Sequence, residues 1–145
     1  MVRKMLMGAL VGFLALGVAN QVFAQAEKRQ ALMKNNSENT KAIKAAVEAK
    51  DNATIEAKAK DIMGNAEKIV GFFPKGSDTG KTKAKAEIWE KSEDFGKAAK
   101  NLNKAASELA SAAKAGDADV GVKVKALGDA CGACHKQFRA EKYAE

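Results

Sequence analysis

Near the end of the chain stands Cys131-Gly132-Ala133-Cys134-His135, two thiols three positions apart with an imidazole directly after the second. The chain contains 2 Cys and 1 His, so this string uses every one of them. On a helix the two sulfurs sit about one turn apart, close enough for each to form a thioether to one vinyl group of a single porphyrin. The following residue then brings its imidazole under the iron as an axial ligand. Spacing and residue types together read as the attachment site of a c-type haem, covalently held through Cys131 and Cys134 and ligated by His135.

Rival chemistries for the same residues fit less well. A structural zinc site closes with four Cys or His ligands, and only three are present. A thioredoxin-like redox pair wants a strand–helix setting that this chain does not offer. Two helical cysteines three positions apart are poorly placed for S–S geometry. Two small core residues beside an unrelated histidine is the bland alternative, and the full five-residue match weighs against it.

Covalent haem attachment goes with export, and the N-terminus provides a separate check. Arg3 and Lys4 precede an uncharged run of Leu, Val, Met, Ala, Gly and Phe from Met5 to Ala19, and Val22-Phe23-Ala24 ends on a small residue. Residues 1–24 are expected to be a cleaved signal peptide, leaving a domain of residues 25–145 in a bacterial periplasm. The apolar run is about 15 residues, short of the roughly 20 that a spanning helix needs, so a retained anchor is disfavoured and the protein is not expected to be membrane-embedded.

The rest is one domain of helices. Ala and Lys dominate and there is 1 Pro, a balance that favours helix over sheet. Four apolar series step by three and four: Met33, Asn36, Thr40, Ile43, Val47; then Ile55, Ala59, Ile62, Ala66, Ile69, Phe73; then Phe95, Ala99, Leu102, Ala106, Leu109, Ala113; then Val120, Val124, Leu127, Cys131, Cys134, Phe138. Each is one stripe of an amphipathic helix. Asp51-Asn52, the Pro74–Gly80 stretch and Gly116 with Asp117 and Asp119 punctuate them. Two short connections and a longer middle loop, Pro74 to about Ala86, give an all-α, antiparallel up-down-up-down four-helix bundle. The cysteines share the apolar stripe of the last helix, so haem sits inside the bundle and completes a core otherwise thin in Ala; the apo-protein should be unstable.

What lies on the other side of the iron decides function. With the signal removed, Met33 and Met63 are the remaining methionines. Taking the first helix to start near Ala26 and the fourth to end near Lys142, Met33 and His135 both lie roughly 10 Å from the same end of the bundle, whereas Met63 is roughly 15 Å from it. Met33 is the better-placed distal iron ligand; ordinary core packing is the alternative, since methionine fills irregular gaps well.

The whole domain resembles the class II cytochromes c, the cytochrome c-prime family. Cys131 to His135 followed by Lys136-Gln137-Phe138-Arg139 looks like that family's C-terminal signature; Ile88-Trp89 and the Phe73-Pro74 … Gly76-Ser77 loop are similar too. The resemblance implies two branches. In the high-spin branch an apolar side chain covers a five-coordinate iron, which can bind small gases such as nitric oxide. In the low-spin, five-five-six type, a methionine of the first helix ligates iron, and Arg29-Gln30-Ala31-Leu32-Met33-Lys34-Asn35 is most similar to that type, although Leu32 beside Met33 would suit the other. It further implies Arg29 and Arg139 near the haem propionates or the proximal imidazole, with surface arginines the alternative. Trp89 is placed at the haem edge or, equally, closing the end of the bundle.

The expected function is one-electron transfer by a His/Met haem, whose nearly fixed six-coordinate geometry keeps reorganisation small and shuts out other ligands. Gas binding at an open sixth position is the alternative, and a cofactor-free interaction bundle a third. No acid–base pair or nucleophile suggests an enzyme. The formal net charge is +7, with two of the cations in the signal segment, and lysines are spread over every helix. That suits steering of an acidic redox donor and acceptor; no basic run with interleaved aromatics points to nucleic acid. A monomer or a homodimer fits equally.

Overall fold

In the computed structural model the described residues are 9–142, with side chains described for 24–142. Four long helices form the body: α1 (Ala9–Ala49), α2 (Asn52–Ile69), α4 (Ser92–Ala115) and α5 (Val120–Phe138), with a single helical turn, α3 (Glu87–Glu90), leading into α4. The export-signal expectation falls on residues 1–8, outside the described residues, and on 9–23, whose side chains are outside them. Among the described residues no helix is long and apolar enough to cross a membrane.

The breaks have local causes. Lys50 takes a positive φ of 56° and ends α1. Asp51 then caps α2: its carboxylate accepts the Thr54 backbone N–H at 3.0 Å and the Thr54 hydroxyl at 2.6 Å, satisfying a donor that the first turn leaves without a helical partner. At the end of α4, Gly116 adopts the left-handed conformation, φ 68°. Its N–H reaches the Ala113 carbonyl at 3.1 Å and that of Asp117 reaches Ala112 at 3.0 Å, closing the helix as glycine does.

Packing follows chain order, α1 on α2, α2 on α4, α4 on α5, while α1 and α5 barely touch. The α2 and α4 stripes are buried as the periodicity predicts, Ile55, Ala59, Ile62, Ala66 and Ile69, and Phe95, Ala99, Leu102, Ala106, Leu109 and Ala113, but Phe73, the last of the α2 series, lies beyond the end of that helix and is half-buried. On α5, Val120, Leu127 and Phe138 are buried, whereas Val124, Cys131 and Cys134 are half-buried against the core.

Three expectations need correction. The buried line of α1 is Arg29, Leu32, Asn36, Asn39, Ile43 and Ala46, so Met33, Thr40 and Val47 flank the seam; the helix is rotated to put Leu32 into the core. The helix does not begin near Ala26 but runs unbroken from Ala9. The last helix ends at Phe138, not Lys142, because the chain turns extended at Arg139. There Lys85 N–H donates to the Phe138 carbonyl at 3.0 Å and Ala140 N–H to the Lys83 carbonyl at 2.8 Å, an antiparallel bridge that clips the middle loop to the end of α5.

Candidate functional site

The gap between α1 and α5 is a cavity of about 610 Å³, within the roughly 300–1,000 Å³ of small-molecule sites. α5 contributes Cys134, His135, Phe138 and Arg139; α1 contributes Arg29, Gln30, Met33 and Lys34. Ile69, Ile88 and Phe95 form an apolar back wall, and Phe73, Thr82, Lys83 and Ala84 of the middle loop close one end. Three rings stack edge-on through this wall, Phe73 to Phe95 at 4.9 Å and Phe95 to Phe138 at 5.1 Å between centroids, the tilted geometry that the ring quadrupoles favour.

The predicted site residues separate into those that face this space and those that do not. Met33 and His135 line it together, although they are 102 positions apart by number, and Met63 does not line it. Leu32 belongs to the buried core, so the neighbour that could have replaced Met33 points elsewhere. Cys131, one turn before Cys134 on α5, is half-buried against the core, and the two are not joined by a disulfide. Burial pushes both thiols above the ordinary range, and the nearby Cys131 raises Cys134 further. Burial, and then the Arg139 charge, lower His135 below the usual imidazole value, so its ring is neutral and has a lone pair to give a metal.

Arg29 lines the cavity yet spends its guanidinium on the loop. It is 7% exposed; Nε donates to the Phe72 carbonyl at 2.5 Å, Nη1 to the Ser77 carbonyl at 3.0 Å, and Nη2 to the Ser77 hydroxyl. The cation also lies 4.2 Å from the Phe73 ring centroid, a favourable cation–π distance. Trp89 does not line the cavity. Its indole N–H is shared between the carbonyls of Phe73, at 3.1 Å, and Pro74, at 2.9 Å, so it pins the loop at the end of the bundle. Arg139 is exposed at the rim.

Thr82 and Ala84 were absent from the sequence-based site. The signal for them was the alternation Lys81-Thr82-Lys83-Ala84-Lys85-Ala86, the two-residue period of an extended segment. Among the described residues no three His, Cys, Asp or Glu side chains cluster to hold a bare ion. A haem would bring its own nitrogen ligands to the iron and leave few to the protein. The residues present fit such a group: an apolar slot of adequate volume, a neutral imidazole and two thiols on one helix, and a thioether on the facing one.

A helical bundle with a covalent-attachment motif on its last helix defines a bundle-type haem protein. A family model described as Cytochrome C' matches residues 24–139, and this chain belongs to the cytochrome c' family; its cofactor is covalent haem c, with iron. Cytochrome c' of Rhodospirillum rubrum is 39% identical over 97% of this chain and 100% of its own length. Cytochrome c-556 of Agrobacterium tumefaciens is 33% identical, covering 81% of this chain and 98% of its own. Among solved structures, cytochrome c' from Thermochromatium tepidum superposes with a TM-score of 0.75 at 34% identity, covering 81% of this chain and 95% of that one.

Proposed function

We propose that this protein is a periplasmic haem protein that binds a small gas, nitric oxide among the candidates, at an iron held by His135 and screened by Met33. The observation that carries this reading is the donor set of the cavity. His135 is the chain's one histidine, Arg29 is a cation already committed to the loop, and of the α1 side chains that line the cavity, Gln30, Met33, Lys34 and Ser37 among them, Met33 carries the soft sulfur donor. A thioether on a flexible side chain is a weak donor that a diatomic ligand can displace or bypass. The higher identity to a cytochrome c' than to a cytochrome c-556 supports the same branch.

When bound, haem c would supply an iron able to take a small ligand. Cys131 and Cys134 would hold the porphyrin by thioethers. His135, whose neutral form burial and then the Arg139 charge favour, would give its ring nitrogen to the iron. Met33, which lines the same cavity as Phe73 and Phe95, would screen the iron from bulk water and leave room for a ligand of two atoms. These residues bind and screen; none is arranged as an acid–base pair, and we read the protein as a binder, not an enzyme. Residues 1–24, as an export signal, would take it to the compartment where the thioethers form.

A second reading, electron transfer with Met33 bonded to iron, is favoured by one observation: Met33, and not Leu32, faces the cavity. Lys34, Lys83 and Arg139 around the mouth would then steer an acidic redox partner. Visible to near-infrared spectra of both oxidation states, for wild type and Met33→Ala, separate the two. A high-spin resting spectrum, with carbon monoxide binding about tenfold faster in Met33→Ala (a barrier lower by about 1.4 kcal/mol), supports the gas-binding reading. A sulfur-to-iron charge-transfer band that Met33→Ala abolishes establishes the carrier instead. Protein with no covalent red chromophore under denaturing conditions would sink both.

A further inference from the structure

α1 and α5 barely meet, so their direct packing does not fix the height of Met33 relative to His135. It is transmitted by two routes: the packed series α1 to α2 to α4 to α5, and the middle loop, which Arg29 holds at Phe72 and Ser77 and which Lys83 and Lys85 clip to the end of α5. α1 and α2 bury Leu32, Ile43, Ile55, Ile62 and Ile69 beside Ala46, Ala59 and Ala66; burial of this kind is non-directional, so it favours a register without naming a partner atom. A slip of one turn would carry Met33 about 5.4 Å along the axis.

One feature of this seam is directional. Asn65 of α2 donates through Nδ2 to the Asn36 Oδ1 at 2.8 Å and to the Asn35 Oδ1 at 2.7 Å. Asn39 Nδ2 donates to the same Asn35 oxygen at 3.0 Å. Asn36 is 9% exposed, so a slipped register would strand its buried amide without a partner, whereas Asn39 keeps its bond to Asn35 within α1. Asn36 is also one turn from Met33 on α1. Farther round, Asn103 of α4 donates to the Met63 carbonyl of α2 at 3.1 Å, and Lys123 of α5 reaches Glu108 of α4 at 2.9 Å. Each successive pair of helices thus carries a polar tie. Arg29 anchors α1 one turn earlier, but to a loop; the asparagines anchor it to another helix.

We infer that Asn36 and Asn65 are positioning residues for the iron's distal face: their amide pair sets the register of α1 and so holds Met33 over the site that His135 ligates. The inference rests on the distal role given to Met33 above. A single buried asparagine sets register in helical assemblies in the same way, at a cost in stability.

The test uses holoprotein of the Asn36→Leu/Asn65→Leu variant, which removes both partners together and leaves no buried amide unpaired. Expected are a thermal midpoint equal to or above wild type and carbon monoxide binding to ferrous protein in two phases. One phase has the wild-type rate; the other is about tenfold faster, where α1 has slipped. Should that variant fail to fold, Asn65→Ala is read the same way, the space it leaves admitting water to the Asn36 amide. A single phase at the wild-type rate in the variant that folds overturns the inference, whether or not the midpoint falls, because a merely structural pair would move stability alone. Met33→Ala, measured alongside, keeps the two claims apart. If it leaves the rate unchanged, the distal role of Met33 fails; if it changes the rate and the asparagine variants do not, the register role alone fails.

Discussion

Leu32 and Met33 are adjacent apolar residues of similar volume that do opposite work. Leu32 is 8% exposed and packs in the core, whereas Met33 faces the cavity. Leu32→Ala should therefore lower stability by about 2–3 kcal/mol, the usual loss for a truncated core leucine, while the visible spectrum of the holoprotein stays as in wild type. Denaturant unfolding followed by circular dichroism, with the spectrum recorded on the same sample, checks this. A changed spectrum with little loss of stability would place Leu32, not Met33, at the iron. The haem c cofactor was legible in sequence because the residue types of the Cys131–His135 string have almost no other use in a chain with one histidine. Arg29 was not. Its series, Arg29-Leu32-Asn36-Asn39-Ile43-Ala46, steps by three and four as regularly as the one built on Met33. Three polar residues on that series concealed a buried line, and only their partners, the loop for Arg29, Asn65 of α2 for Asn36 and Asn35 of α1 itself for Asn39, reveal why they are inside.

At the scale of elements, the helices of the body were readable wherever the stripe was apolar, as in α2 and α4, and their boundaries wherever a cap was explicit. Asp51 is such a cap. Its hydrogen bonds to the Thr54 hydroxyl, and then to the Thr54 N–H, lower its pKa below the usual carboxylate value. A depressed carboxylate contributes stability above its unfolded pKa and loses it as pH falls through the folded one. Asp51→Ala should thus lower the thermal midpoint by a few degrees at neutral pH, and the difference from wild type should shrink toward zero in acid. Differential scanning calorimetry across pH tests it; a difference that stayed constant would mean the carboxylate's charge is irrelevant. The end of α5 was less legible. Lys136 to Lys142 contains nothing that forbids helix, and what ends it at Phe138 is the bridge to Lys83 and Lys85, a partner more than fifty residues away in sequence.

For the whole molecule, the cofactor is a structural wall as much as a working group. The core is rich in Ala, two neighbouring helices hardly touch, and about 610 Å³ lies between them. Were that space a dry void, roughly 24 cal/mol per Å³ over 610 Å³ would cost about 15 kcal/mol, as much as the entire stability of a domain, roughly 5–15 kcal/mol. The cavity opens to water, so the real cost is smaller, but Phe73, Phe95, Ile69 and Phe138 would then be wetted. Neither outcome leaves the apo chain a reason to keep this arrangement, whereas α2 and α4, buried along their whole stripes, retain theirs. The Cys131→Ala/Cys134→Ala variant, prepared without haem, should keep most of its far-ultraviolet helical signal yet unfold broadly, without the sharp heat-absorption peak of the holoprotein, and bind a hydrophobic dye. A cooperative transition within a few degrees of the holoprotein would mean that the four helices close the core by themselves, and that α1 and α5 are held apart by something other than the group between them.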